Sequence, residues 1–310
     1  MIDCDVHCVP GSWDVLEPHL SAGWRNHLES GRVPLTRMPD AYPASRRTSA
    51  TLEARAAGGP LTPTTYEALR DGLLEPSGAS HSILNCLTIF DSQHNPYYQA
   101  ALATALNDWL RTDWLDRDER LRASIVVPWS DPEAAAAEIE RLADDPRFVQ
   151  VLLPVRALRP WGQKAHHGML GAAAERGLPV AIHAWGLYGH APTPSGMTTT
   201  YVEDYLSNAS IVQEHIASFV AEGVFERFPA LRLVLLECGF SWLPALLWRM
   251  DKHWRSLWPE IPWVKEQPSH YVREHLRMTN APAHLGDASD EQVRELVKMI
   301  GAESLLYASD

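Results

Sequence analysis

The chain lacks several features that define whole classes of protein. Only four of its 310 residues are cysteine, and none lies in a Cys-x-x-Cys pair, so neither a disulfide scaffold nor a zinc knuckle is expected. Basic residues are outnumbered, 27 against 39 acidic ones, which gives a formal charge of −12. No basic stripe offsets that charge, and a nucleic-acid partner is therefore not expected.

Long apolar runs are also missing. No run approaches the roughly 20 residues that a bilayer-spanning helix needs, so no membrane partner is expected. The chain enters an apolar strand-like run almost at once, without a charged and then apolar leader, and this pattern predicts a cytoplasmic location. No glycine-rich phosphate-binding turn follows that first run, which argues against a doubly wound open sheet.

Eight short apolar runs alternate with amphipathic helical stretches. Each run is rich in Val, Ile and Leu, as expected for strands that are buried on both faces. Strand–helix alternation repeated eight times predicts an α/β fold, a (β/α)₈ TIM barrel forming a single domain over 1–310. The runs span residues 1–7, 82–88, 122–128, 148–154, 179–184, 231–237, 275–280 and 305–309.

Helix signals occupy the segments between these runs. Ser130 to Glu133 and Ser289 to Gln292 each have the spacing of a capping box, which predicts a helix start at each serine. Gly177 precedes the fifth run and predicts the end of the helix before it.

Two long segments interrupt the alternation. Residues 8–80 follow the first strand and residues 186–209 follow the fifth, and both leave the rim where barrel active sites lie. Because loops this long are usually functional or disordered, we interpret both as lid-like insertions or pocket walls. The sequence stops at Asp310 without the helix that normally follows an eighth strand, and we expect the C-terminal part to be truncated.

Four metal-binding side chains fall at the ends of predicted strands. Asp5 and His7 lie two apart on the first strand, so both point to the same side. His183 ends the fifth strand and Asp310 follows the eighth. A barrel brings these strand ends to one rim, and carboxylate and imidazole ligands suit Zn²⁺, Mn²⁺ or Fe²⁺. The sequence therefore predicts a divalent metal site.

These residues resemble the ligand set of the amidohydrolase superfamily. The most similar branch is the amidohydrolase-related group that includes aminocarboxymuconate-semialdehyde decarboxylase, and the resemblance runs from the first strand to the eighth. Three longer stretches also look like that branch: Phe228–Glu237 (FPALRLVLLE), Ser241–Pro244 (SWLP) and Trp248–Asp251 (WRMD).

The resemblance implies one metal ion. Dinuclear members carry a bridging lysine at the end of strand four, whereas the run 148–154 ends in proline. Zn²⁺ is the expected ion and Mn²⁺ the alternative. Many relatives begin with His-x-His, and the Asp-x-His found here shifts the preference toward the harder Mn²⁺. Its ligands would be Asp5, His7, His183 and Asp310.

The resemblance implies a metal-dependent hydrolase in which activated water attacks a small carboxylated or cyclic substrate. Asp310 would accept the proton, with Glu237 assisting or, equally, orienting a ligand histidine. Arg156 or His190 would bind a substrate carboxylate or a developing oxyanion, although a plain surface role is the preferred interpretation of Arg156. Trp185 would wall the pocket.

Two other functions remain open. One is non-oxidative decarboxylation of an aromatic or dienoic acid by the same metal. Decarboxylating relatives commonly carry a histidine where Glu237 stands, which weighs against this reaction. The other is a non-catalytic barrel, if truncation abolishes the site. The expected partner is a small-molecule substrate, and the resemblance also allows a homodimer.

Overall fold

The computed structural model describes residues 1–31, 62–88, 95–186, 191–193 and 195–310. Eight strands form one parallel sheet in the order of the sequence, with helices between them, so the predicted TIM barrel is confirmed. The strands are β1 (Ile2–Cys8), β2 (His81–Cys86), β3 (Leu121–Val126), β4 (Phe148–Arg156), β5 (Val180–Gly186), β6 (Leu233–Leu236), β7 (Leu276–Thr279) and β8 (Leu305–Leu306).

The helices cover the outside of the barrel, where their apolar faces pack on the strands. The α-helices are α1 (Ala22–Gly31), α2 (Tyr66–Leu69), α3 (Glu75–Ser77), α4 (Pro96–Trp109), α5 (Pro132–Leu142), α6 (His167–Glu175), α7 (Tyr201–Ala221), α8 (Val224–Arg227), α9 (Leu243–Leu257), α10 (Pro268–His275) and α11 (Asp290–Ile300). Short 3₁₀ turns cover Trp13–His19, Lys164–His166, Trp258–Glu260 and Ala302–Ser304, and π turns cover Arg70–Leu74 and Leu110–Leu115.

Helix starts follow the sequence signals closely. Ser289 caps α11 in a full capping box with Gln292, as predicted. At α5 the cap is Asp131 rather than Ser130, because the Asp131 carboxylate accepts from the backbone N–H groups of Glu133 and Ala134. The hydroxyl of Ser130 donates instead to the Gln99 side chain.

Backbone hydrogen bonds join the last strand to the first. The N–H of Cys4 donates to the carbonyl of Tyr307 at 3.0 Å, and the N–H of Asp310 donates to the carbonyl of Asp5 at 3.2 Å. The Asp3 carboxylate also accepts from the N–H of Ser309 at 3.0 Å. These bonds bring the residues after β8 beside the middle of β1.

The two predicted insertions contain regular structure. The segment 8–80 includes a 3₁₀ turn and helices α1 to α3, while residues 32–61 lie outside the described residues. In the segment 186–209, α7 begins at Tyr201 because Thr200 and Glu203 form a capping box there, and residues 187–190 and 194 lie outside the described part. A lid role for either segment stays a prediction. Among the described residues, no helix combines the length and the apolar character needed to cross a membrane.

Candidate metal centre

Five titratable side chains meet at the carboxyl-terminal rim of the barrel. Asp5 and His7 come from β1, and His183 comes from β5. Glu237 is the first residue after β6, and Asp310 lies beyond β8. Parallel strands in a barrel all end at the same rim, so residues that are far apart in sequence become neighbours here.

Three of these side chains face one another at short range. The Nε2 atoms of His7 and His183 are 3.0 Å apart. Asp5 places Oδ1 at 3.3 Å from Nε2 of His7 and Oδ2 at 3.4 Å from Nε2 of His183. Asp5 and His183 are fully buried. One buried carboxylate therefore faces two imidazole nitrogens, which is a ligand arrangement for a single ion.

The other two carboxylates lie on the outer side of this trio. Glu237 Oε2 is 3.4 Å from Nε2 of His183, and Asp310 Oδ1 is 3.7 Å from Nε2 of His7. His7, Glu237 and Asp310 also offer ligand atoms within 4.8 Å of one another. The side chain of Asp310 is 23% exposed, against 12% for Glu237, so Asp310 faces the mouth of the site.

The protonation of these groups reflects their crowding. Burial by itself would lower the pKa of His7, but its hydrogen bond to Asp5 and the nearby carboxylates raise that pKa to about 9. Burial would raise the pKa of Asp5, yet His183 and His7 hold it well below its ordinary value. Burial raises the pKa of Glu237 to about 7. Concentrated negative charge with neighbouring imidazoles is the electrostatic environment in which a cation is stabilised.

The residues present fit a divalent ion. Oδ2 of Asp5 is buried without a hydrogen-bond partner, so a buried anionic oxygen faces the centre of the cluster unsatisfied. Two imidazole nitrogens and the carboxylates of Asp5 and Asp310 form a mixed nitrogen and oxygen set that suits Zn²⁺ or Mn²⁺. The end of β4 carries no lysine that could bridge a second ion.

A chain of buried amides and a hydroxyl supports the carboxylate of Asp5. Asn85 Nδ2 donates to Oδ1 of Asp5 at 2.7 Å. The Asn85 carbonyl accepts from the Ser124 hydroxyl at 2.5 Å, and Gln150 Nε2 donates to Ser124 at 2.8 Å. These bonds run across β2, β3 and β4 inside the barrel and fix the orientation of the Asp5 carboxylate. Asn85 was not among the residues predicted from the sequence, where its only signal is one amide inside an apolar strand.

Two of the rim residues adopt a backbone conformation that is rare for side chains other than glycine. Glu237 has φ of 55° and Asp310 has φ of 66°. The N–H of Glu237 donates to Oγ1 of Thr279 at 3.2 Å, which holds the turn after β6 in place. Such positions cost about 1 kcal/mol or more each, and they cluster at functional sites.

Of the other residues predicted for the site, one lies beside the cluster, one pairs with a carboxylate, and one falls outside the described residues. Trp185 is buried with its ring 6.1 Å from that of His183, next to the cluster. Arg156 is only 6% exposed and pairs with Asp204 at 2.6 Å, so its interpretation as a surface residue is wrong. Its guanidinium is held by a carboxylate of α7, which places it in a structural ion pair. His190 lies outside the described residues.

Sequence reasoning also missed residues at the mouth of the site. Burial, and then the charges of Glu237 and Asp310, raise the pKa of Tyr205. The Tyr205 ring lies 5.7 Å from the ring of His284. His284 packs so closely on Gly239 that a Cβ there would come within 2.8 Å of its ring. Single polar residues on separate loops carry no periodic signal in the sequence.

This chain is similar in sequence to a known family and to named decarboxylases. The family model described as Amidohydrolase (Amidohydro_2) matches residues 2–310. A gamma-resorcylate decarboxylase from Rhizobium sp. (strain MTP-10005) is 24% identical over 225 residues, which cover 67% of this chain and 65% of that protein. The aligned region thus spans slightly less than two thirds of the relative's length.

Solved structures show the same fold. An amidohydrolase from Mycobacterium avium subsp. paratuberculosis K-10 superposes with a TM-score of 0.72 at 21% identity, covering 100% of this chain and 87% of that one. A 5-carboxyvanillate decarboxylase from Novosphingobium aromaticivorans DSM 12444, complexed with manganese and 4-hydroxy-3-methoxy-5-nitrobenzoic acid, gives 0.70 at 19% identity, with 100% and 85% covered. With the family model matched over nearly its whole length, the chain belongs to the Amidohydro_2 amidohydrolase family.

Proposed function

We propose that the chain is a metal-dependent decarboxylase of a hydroxylated aromatic acid. The observation that carries the proposal is the convergence of Asp5, His7 and His183, with Asp310 beside them, at the carboxyl-terminal rim. Relatives named as gamma-resorcylate and 5-carboxyvanillate decarboxylases support this reaction over the hydrolysis predicted first. The bound manganese in one neighbour supports Mn²⁺ ahead of Zn²⁺ as the ion.

Asp5, His7, His183 and Asp310 would hold the ion. When bound, such an ion supplies positive charge that orients a substrate's carboxylate and adjacent hydroxyl oxygen and lowers the energy of negative charge developing on the ring. Trp185 and the apolar strand ends around His183 limit the entry of water. Because water would screen the charge of the ion, this burial keeps its electrostatic effect on the substrate strong.

The residues of the chain handle the proton. When the carbon–carbon bond breaks and CO₂ leaves, the electron pair stays on the ring carbon, which must then gain a proton. Asp310 is the carboxyl group that faces the mouth of the site, and we assign its side-chain oxygen as the proton carrier. Glu237, whose Oε2 lies 3.4 Å from Nε2 of His183, orients that imidazole.

The test is a decarboxylation assay on a panel that includes gamma-resorcylate and 5-carboxyvanillate, with CO₂ release measured in the presence of Mn²⁺. We expect activity that is lost with a chelator and restored by the ion. Asp310→Asn is expected to lower kcat by about 100-fold or more, since a general acid typically contributes that much. Asp144→Asn, at a highly exposed carboxylate on the opposite rim, is the matched control. Metal-dependent turnover that persists in Asp310→Asn would remove the assigned role.

Hydrolysis is the second candidate, because a carboxylate, Glu237, stands against His183 at the end of β6. On a panel of lactones and amides, a hydrolase would consume water without releasing CO₂. Elemental analysis that finds no near-stoichiometric ion in the purified protein would instead favour the non-catalytic barrel.

A further inference from the structure

A cavity of about 440 Å³ lies beside the metal centre, between the ends of β3 and β4 and the start of α4. That volume is within the range of small-molecule sites. The residues that line it include the buried Trp129 and Trp161 and the exposed Leu158. We call it the β3–β4 cavity.

The β3–β4 cavity is separate from the metal centre. None of Asp5, His7, His183, Glu237 and Asp310 lines it. Two tryptophans stand between the two sites: the ring of Trp185 contacts that of His183 at 6.1 Å on one side and that of Trp129 at 4.9 Å on the other. A molecule in the cavity would therefore touch the far side of the aromatic pair that walls the metal centre.

His166 gives the cavity an unsatisfied polar edge. The side chain lines the cavity, is 5% exposed, and has no hydrogen-bond partner at either Nδ1 or Nε2. Its ring packs on Trp161 with a centroid distance of 4.7 Å. A buried imidazole normally uses both nitrogens, and one that uses neither leaves a donor and an acceptor available to a ligand.

The charge of the cavity is positive. Arg159 lines it and is exposed, and within the described part of the chain its guanidinium makes no hydrogen bond or ion pair. Its charge is close enough to help lower the pKa of His166, after burial, to about 4, so the imidazole is neutral at pH 7. No acidic side chain is among the described residues that line the cavity.

We propose that the β3–β4 cavity is a second binding site, for a planar aromatic monocarboxylate. The ring would pack on the indoles of Trp129 and Trp161, and the carboxylate would reach the guanidinium of Arg159 and the N–H of His166. The proposal does not depend on the reaction at the metal centre, because it uses none of the five titratable residues that meet there.

The test is a calorimetric titration of the full-length chain with benzoate, performed on both manganese-loaded and chelator-treated protein. We expect the same affinity in both, because the site lies apart from the ion. Benzyl alcohol, the neutral analogue, is expected to bind about tenfold more weakly. Arg159→Gln should lower benzoate affinity about tenfold without changing that for benzyl alcohol, and Arg159→Lys should restore most of it.

Two further variants complete the design. Lys164→Gln removes the same charge from an exposed residue of the same loop that does not line the cavity, and it should leave benzoate binding unchanged. His166→Phe keeps an aromatic ring but removes both nitrogens, and it should weaken benzoate binding about tenfold. Any one of three results would overturn the proposal. Benzoate binding could require manganese, it could be unaffected in both Arg159→Gln and His166→Phe, or its Kd could exceed roughly 10 mM.

Discussion

Asn85 shows how one buried amide can set the orientation of a buried carboxylate. Its side chain donates to Asp5 and accepts from Ser124, so the amide cannot turn without breaking two hydrogen bonds. The Asp5 oxygen left over faces His183. Removal of the Asn85 side chain would free the carboxylate to rotate and would leave the Ser124 hydroxyl without its acceptor.

We therefore expect Asn85→Ala to weaken Mn²⁺ binding by about 10- to 100-fold, the usual effect of losing a hydrogen-bond partner of a metal ligand. The measurement is an ion titration monitored by electron paramagnetic resonance. Ser82→Ala, which removes a buried hydroxyl without a partner from the same strand, is the matched control and should leave the affinity unchanged. Equal affinities for the wild-type protein and Asn85→Ala would show that the amide does not position Asp5.

His215 provides a second prediction, on stability. It is 2% exposed, with Nδ1 accepting from the N–H of Trp161 at 3.1 Å and Nε2 bonded to the carbonyl of Val155 at 2.7 Å. Burial lowers the pKa of His215 from 6.5 to about 4. The imidazole is therefore neutral in the fold, and a proton on Nδ1 would break the bond to Trp161.

As pH falls below 6.5, the unfolded chain takes up this proton while the folded one does not until pH is near 4. The contribution of His215 to the free energy of unfolding is thus complete above pH 6.5. It declines as pH falls from 6.5 to 4, by about 3 kcal/mol at the lower limit. Denaturant unfolding across this range should show a shallower pH dependence in His215→Gln. His270→Gln, at an exposed histidine, should keep the wild-type slope.

At the scale of elements, the loop after β4 is held against α7 by a close backbone approach. A Cβ on Gly162 would come within 2.6 Å of the carbonyl oxygen of Ser218 in α7. The nearest atoms belong to the backbone of a 21-residue helix. A helix backbone cannot move aside to relieve the contact, whereas the end of a flexible side chain could. Glycine is needed here for space and not for its φ.

Gly162→Ala should consequently lower the free energy of unfolding by about 1–3 kcal/mol, as overpacking of a tight contact does. Gly168→Ala is the matched control. Gly168 lies in α6, and no atom comes within 4 Å of the place that an added methyl group would occupy, so alanine should be neutral or slightly stabilising there. Denaturant unfolding of the two variants measures this difference. Equal free energies of unfolding for Gly162→Ala and Gly168→Ala would contradict the close packing of Gly162 on α7.

The elements also show what the sequence could and could not predict. All eight strands were predicted from buried apolar runs, because a parallel sheet covered on both faces leaves a continuous hydrophobic signal. The strand ends were predicted less accurately. The predicted run 231–237 forms a strand only over Leu233–Leu236, because Glu237 adopts a left-handed backbone conformation. Local spacing could not distinguish Ser130 from Asp131 as a helix cap, because both carry side-chain oxygens.

At the scale of the molecule, the predicted ligands meet because a barrel brings distant strand ends to one rim. Strand position was therefore enough to predict that Asp5, His7, His183 and Asp310 lie at one rim, and their role as metal ligands stays a prediction. It was not enough for Asn85 or His284, since which side chains touch across a rim depends on strand register and loop paths. Those are properties of the whole fold, and short sequence patterns do not record them.

Ion binding should stabilise the whole molecule, because the ligands come from both ends of the described chain. At about 100 times the dissociation constant, Mn²⁺ should contribute about 2.7 kcal/mol and raise Tm by several degrees. Thermal unfolding with increasing Mn²⁺, repeated with Asp310→Asn and Asp144→Asn, measures this effect. The shift should shrink in the first variant only, and a Tm independent of the ion in the wild-type protein would argue against a shared ion.

The hydrogen bonds from Ser309 and Asp310 to Asp3 and Asp5 form a seam between β1 and the residues after β8. In a chain that has not yet closed this seam, Asp310 lies apart from Asp5 and His7, so the proposed ligands cannot all contact one ion. Binding of an ion by all four proposed ligands would then require a closed barrel, and a chain in which this seam opens should lose the ion before it loses most of its helices.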